Sequence, residues 1–223
     1  LRFGSWIGGD LDGNPNAGVE TVREAVERAH GVVVRLLRRD IRALAASWGM
    51  STTLVGADPA VGDVALPSEL NTDEPYRRRL TSLWERRGAD EIVDGDELRA
   101  ELELIDRSLR ANAGGRIADG GLADLILRLD VFGLDGVTLD VRVHSRALRD
   151  EPDRVRDVVA EAARLQATYG RRCIDGVIVS MTQTAEDILR AERFVAEAGL
   201  TATVVPLLET VADLRGAGPL VEE

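Results

Sequence analysis

The chain has 223 residues, 28 of them basic and 39 acidic, for a formal net charge of −11, and 44% are hydrophobic. That hydrophobic content belongs to a folded chain rather than a disordered one. So acidic a balance argues against nucleic-acid binding, because a phosphate backbone rewards a basic face. No apolar run approaches the ~20 residues needed to cross a bilayer, so no membrane-spanning helix is expected.

Every basic residue is arginine. With no lysine in the chain, Schiff-base chemistry, a Walker lysine and a general-base lysine are excluded from within it. The single Cys173 rules out an internal disulfide and a Cys-based zinc site, and a reducing cytoplasm fits. His30 and His144 are too few for a multi-histidine metal site. Leu1 in place of Met, with no signal-peptide pattern after it, is expected of a processed product or a piece of a longer chain.

In chain order, residues 1–9 read as a short apolar strand entering a loop, Gly8-Gly9-Asp10-Leu11-Asp12-Gly13-Asn14-Pro15, whose composition favours tight turns. Thr21 and Glu24 have capping-box spacing, and from Val22 to Trp48 apolar residues recur at helical spacing, giving a helix of ~40 Å with Gly31 as its weak point. Residues 49–72 read as a surface loop. Helices are expected over 73–87, 96–111 and 118–129 from their apolar spacing.

After Gly133 the pattern changes. Residues 136–143 alternate so that Val137, Leu139, Val141 and Val143 share one face of a strand. A helix over 151–169, a strand over 176–181, a helix over 184–198 and a strand over 202–207 follow. This β-α-β-α-β order is the sequence form of a parallel sheet with crossover helices, either an open α/β sheet or part of a barrel. Chemistry in both sits beyond the carboxyl ends of the strands. Asp10, Asp12, Arg142, Ser180 and Glu209 all fall there.

The residues at these ends resemble a known family. Phe3-Gly4-Ser5-Trp6-Ile7-Gly8-Gly9-Asp10-Leu11-Asp12-Gly13-Asn14-Pro15 resembles the signature loop of the phosphoenolpyruvate carboxylases. Leu139-Asp140-Val141-Arg142 resembles the family's Leu-Asp-Ile-Arg strand end. Val177-Ile178-Val179-Ser180-Met181 and Val204-Val205-Pro206-Leu207-Leu208-Glu209-Thr210 resemble its Val-Ile-Ser-Met and Val-Pro-Leu-Phe-Glu-Thr segments, in the family's order. The resemblance implies an α/β, helix-rich fold, a partial TIM-type barrel of about four parallel strands with long surrounding helices. Residues 1–223 are then expected to form a single partial barrel domain, lacking the N-terminal and C-terminal parts of the family's subunit.

The implied reaction joins phosphoenolpyruvate and bicarbonate, giving oxaloacetate and phosphate with Mg²⁺ or Mn²⁺, in an enzyme commonly homotetrameric. By the same resemblance Glu209 matches a carboxylate ligand of the metal and Arg142 an arginine on the substrate phosphate, while Trp6 and Leu207 match the apolar pocket for carbon dioxide. On the residues alone, the favoured readings are Glu209 as a complement to the next helix's dipole, Arg142 as a salt-bridge partner of Asp140 or another acid, and Trp6 and Leu207 as core filling. A calcium loop at Asp10, Asp12 and Asn14 is excluded, because Pro15 stands where such a loop needs glycine.

There are departures. Leu11 stands where the family usually has arginine, and Val143-His144-Ser145 replaces Gln-Glu-Ser, so neither His144 nor His30 matches the family's catalytic histidine. That histidine and the second metal-binding acid belong to segments this sequence does not contain, so the isolated chain is expected to be inactive. The alternative is a non-catalytic homologue acting as a ligand-binding or partner-binding module.

Overall fold

The computed structural model describes residues 3–66, 70–86 and 95–222. Strand β1 is only Gly4–Ser5, shorter than the 1–9 expected, and residues 1 and 2 lie outside the described residues. Helix α1 runs unbroken from Val19–Ser47, through Gly31. It starts before the capping box that the sequence suggests: Thr21 donates its hydroxyl to Gly18 O and accepts from Gly18 N, both at 2.9 Å.

Two compact units divide the chain, one of residues 31–134 and one of residues 1–30 with 135–223. The first is all-helical: α2 (Pro59–Gly62), α3 (Pro75–Arg86), α4 (Gly95–Ala111), α5 (Gly115–Ile117) and α6 (Ala123–Phe132). Its core joins Leu37, Ile41 and Leu44 of α1 to Leu80, Leu83, Leu102, Ile105, Leu122 and Leu125. The stretch read as loop holds α2, because Asp58 caps Ala60 N and Val61 is fully buried. The helix expected over 118–129 is interrupted by a wide turn at Ala118–Leu122, where Gly120 leaves helical geometry. The end of the helix expected over 73–87 falls at Arg87, outside the described residues.

The second unit carries β2 (Thr138–His144), α7 (Ser145–Asp150), α8 (Pro152–Tyr169), β3 (Ile174–Ser180), α9 (Ala185–Ala198), β4 (Thr203–Pro206) and α10 (Val211–Glu222). Its four strands form one parallel sheet in the order β1-β2-β3-β4. Each strand lies beside its chain neighbour, the order of successive barrel staves; a doubly wound sheet reverses order midway. Leu139, Val141 and Val143 bury one face of β2 against Val155, Val158, Ala162 and Leu165 of α8. Val137 precedes the strand and is exposed, contrary to the alternation read from sequence. Burial pushes the thiol of Cys173 up to about 12, so the cysteine is an inert core residue.

Helix α8 is tied to its neighbours by polar stitches. Gln166 donates to Ile174 O at 2.6 Å and Thr201 O at 2.9 Å, fixing the starts of β3 and β4. Glu161, almost fully buried, accepts from Arg164 Nε at 2.8 Å and from Arg23 Nε of α1 at 2.7 Å. The two guanidiniums hold its carboxyl down at about 2, against an ordinary 4.5. A folded-state value below the unfolded one contributes stability above the unfolded value, lost as pH falls toward the folded one. Glu161→Gln is therefore expected to destabilise the chain at pH 7 by roughly 1–3 kcal/mol. The difference shrinks through the window from pH 4.5 to 2, as thermal melts of both proteins across that range would show.

Candidate active site

Period two on β2 turns Asp140 and Arg142 to the face opposite Leu139, Val141 and Val143. Arg142 lies opposite Ile178 of β3, and Ile178 opposite Val205 of β4, so one row crosses the sheet. Leu207, one residue past β4, donates its backbone N–H to Val179 O at 2.8 Å. Period two places it on the Val205 side of β4, the side of Arg142.

The loop after β1 folds back along the end of β2. Arg142 N donates to Gly9 O and Leu11 N to Arg142 O, both at 2.8 Å, so Asp10 lies beside Arg142 as a further parallel bridge. Gly9 permits this approach: a Cβ there would fall 2.3 Å from Asp140 O. The loop is pinned at its far end by Arg154 of α8, which donates to Asn14 O at 3.0 Å and Ala17 O at 2.9 Å. Leu11 is buried in the core of this unit. Asp10 and Asp12 remain at the sheet end, with Asp12 N donating to Asp10 Oδ1 at 3.2 Å.

Three carboxylates converge on the single guanidinium of Arg142. Nη2 lies 3.0 Å from Asp12 Oδ2 and 3.3 Å from Glu209 Oε1, and Nη1 lies 3.3 Å from Asp10 Oδ2. The indole of Trp6 covers its face, ring centroid to Cζ 5.2 Å. These ion pairs are longer than the 2.7–2.9 Å usual for charge-assisted bonds. The buried Nε has no hydrogen-bond partner. The guanidinium is thus surrounded by charge but loosely held, with donor capacity to spare. Asp140, the neighbour that sequence offers as its partner, is instead seated beside Gly4 and Gly176 of the flanking strands, where an added Cβ would fall 3.3 and 2.6 Å from its carboxylate oxygens.

Glu209 is a third exposed and turned to Arg142. The cap of α10 is made by others, since Asp213 accepts from Thr210 N at 2.8 Å and donates its own N–H to Thr210 Oγ1 at 3.1 Å. Trp6 is 43% exposed, too open for core filling. Arg142, Trp6 and Glu209 therefore meet in one site. His144 ends β2, and its Nδ1 accepts from Arg146 N at 3.0 Å and caps α7. His30 lies against Tyr169, ring centroids 4.9 Å apart.

Sequence reasoning did not pair Ser180 with Asp12. Ser180 is fully buried, and its Oγ donates to Asp12 Oδ2 at 2.8 Å. Met181, next in line, adopts φ +51°, and its carbonyl accepts from Ser145 Oγ at 2.7 Å. Backbone strain in a non-glycine residue at a strand's carboxyl end is a recurring mark of functional sites. Among the described residues no three His, Cys, Asp or Glu side chains converge closely enough to hold a metal ion. Glu209 offers a hard oxygen ligand, but the described residues do not complete a site.

A parallel sheet with an arginine, an indole and carboxylates gathered at its carboxyl ends defines this unit as α/β, with its polar residues where such sheets carry their sites. The family model for phosphoenolpyruvate carboxylase matches residues 1–155 and 147–223. The chain belongs to the phosphoenolpyruvate carboxylase family. It is 33% identical to the phosphoenolpyruvate carboxylase of Pseudomonas putida strain F1, over all of this chain and 31% of that protein. The enzyme of Ralstonia nicotianae is 30% identical, again over all of this chain and 31% of its own length. That of Nocardia farcinica is 29% identical over 98% of this chain and 32% of its own. The chain thus spans about a third of the length of the curated relatives it matches. The first alignment runs over 282 positions, more than the chain has, so the relative carries residues within this span that the chain lacks.

Ser180→Ala removes the donor that fixes Asp12 and is expected to lower stability by about 1–2 kcal/mol, read from the midpoint of urea unfolding.

Proposed function

We propose that this chain supplies the phosphate-binding arginine and one metal-binding carboxylate of a phosphoenolpyruvate carboxylase, which carboxylates phosphoenolpyruvate with bicarbonate to give oxaloacetate and phosphate. The observation that carries the reading is Arg142, held by long ion pairs, with a buried Nε unpartnered and Glu209 at its side. A phosphoryl oxygen could take over donors that the carboxylates hold weakly, and the planar fork of arginine suits two such oxygens at once. In a site sheltered from water, that charge would stabilise phosphate as bicarbonate attacks it and the enolate leaves. Trp6 and Leu207 would form the apolar wall toward which carbon dioxide is released.

Mg²⁺ or Mn²⁺ belongs to this reading, with Glu209 as one ligand, and would supply charge for the phosphate and enolate oxygens. Three acids around one arginine leave an excess of negative charge that favours a cation there. The described residues do not complete such a site by themselves. The full protein is proposed to work in the cytoplasm as the homotetramer common in the family.

Two results are expected. The purified 223-residue chain forms no oxaloacetate in an assay coupled to malate dehydrogenase. It nevertheless binds phosphoenolpyruvate in the presence of Mn²⁺, and Arg142→Ala weakens that binding about 10-fold to 100-fold by calorimetry, as loss of charged hydrogen bonds implies. Sustained turnover would overturn the proposed incompleteness, and undiminished binding by Arg142→Ala would overturn the role of the arginine.

A further inference from the structure

The loop that folds back along β2 has a second side. Asp10 and Asp12 meet Arg142, whereas Leu11, Asn14 and Pro15 line a separate cavity of about 290 Å³ between the loop and the starts of α7 and α8. None of Arg142, Trp6, Leu207 and Glu209 lines it. The volume is that of about ten waters, room for a ligand of about ten non-hydrogen atoms. Two of the residues at which the chain departs from the family's usual pattern, Leu11 and His144, belong to this lining, so part of the wall is particular to this chain.

The polar lining is rich in donors. His144 accepts from Arg146 N on Nδ1, so in the neutral ring the proton sits on Nε2. Asn14 accepts from Asn16 N at 3.0 Å through Oδ1, which leaves its Nδ2 as a donor. Arg154 is pinned to Asn14 O and Ala17 O and pairs with Glu151 at 2.8 Å, so the acid in this lining is already neutralised. Arg146 is held differently: its side chain is 77% exposed, and its Nε lies 3.9 Å from Asp150 Oδ2, beyond hydrogen-bonding reach. Two arginines against one carboxylate leave an excess positive charge here, in a chain whose formal net charge is −11. Helix α8 starts at the same cavity with no side chain capping its first turn, which adds the positive end of its dipole. A cation would find a single carboxylate already taken; an anion finds donors. We propose that this cavity binds a small organic oxyanion, a carboxylate or phosphate ester of about ten non-hydrogen atoms, with its charged group on Arg146 and the ring N–H of His144 and its apolar part against Leu11 and Pro15. The site is separate from Arg142 and stands whether or not Arg142 holds a substrate phosphate.

Titration of the 223-residue chain with succinate and, separately, with glycerol 3-phosphate tests it, followed by nuclear magnetic resonance on the His144 ring and Arg146 side-chain signals. These are assigned by His144→Asn, which keeps a helix-capping side chain, and by Arg146→Gln. At least one of the two anions is expected to shift both signals saturably; a response to one alone supports the site and identifies the oxyanion it prefers. Arg146→Gln should lower that affinity about tenfold, as loss of a charge-assisted hydrogen bond implies. Arg146→Lys, which keeps the charge but not the planar fork, should fall between. Both variants change only an exposed side chain, so the fold is retained. Arg142→Lys should leave the binding in place. Absence of a saturable response to both anions would overturn the proposal, and so would an affinity that Arg146→Gln leaves unchanged. Shifts abolished by Arg142→Lys and not by Arg146→Gln would overturn it too, by assigning the anion to Arg142.

Discussion

The alternation of β2 is the constraint on which the rest of this unit depends. Leu139, Val141 and Val143 are held against α8, and that single requirement turns Asp140 and Arg142 to the other face. A slip of one residue would bury two charges and expose three apolar side chains, a penalty of many kcal/mol that no loop contact could offset. The backbone ladder from Gly9 through Arg142 then brings Asp10 and Asp12 to the same place. Core and site are the two faces of one strand, and the energy that fixes the site is that of the core.

Two clusters in this unit use the same groups to opposite effect. Glu161 has two arginines on one buried carboxylate, at 2.7 and 2.8 Å, and links α1 to α8. Arg142 has three carboxylates on one guanidinium, at 3.0 to 3.3 Å, with Glu209 partly open to solvent. The first is short and well matched, as a structural pair must be to offset desolvation. The second is over-supplied with acid and under-supplied with good geometry. Its longer contacts are what the proposed exchange of carboxylate for phosphate oxygens at Arg142 would need, and what a structural tie would not.

Much of this was legible in the sequence, because hydrophobic period is a direct consequence of burial. The long helices and the parallel strands follow from it, and so does the gathering of polar residues at the strand ends. Three features were not. Helix α2 forms from four residues through the Asp58 cap, too short for periodicity to register. Helix α7 depends on His144 accepting from Arg146 N, an unusual cap. Helix α10, read as no element at all, contains Gly216 and Gly218 and is fixed at its start by Thr210 and Asp213. Within the site, the types of residue were visible but not the pairing. That Arg142 turns to Asp10 and Asp12 and not to Asp140 depends on a loop returning along a strand, which leaves no local trace.

The departures from the family's usual residues have a physical pattern of their own. Leu11 stands where the resemblance expects arginine, and it is buried among Ala17, Val22 and Val26. An apolar residue there strengthens the packing that holds the loop, whereas a charged one would have to reach solvent. His144 closes β2 and caps the short α7, and the two stretches matched by the family model overlap at residues 147–155, where α7 gives way to α8. Each change thus acts on how the loop or the connection is held. None alters Trp6, Arg142 or Glu209, whose contacts run across the sheet ends and not through the connection. A chain can therefore diverge in the supports of such a site while the geometry at its centre is kept, provided that the strand carrying Arg142 keeps its register.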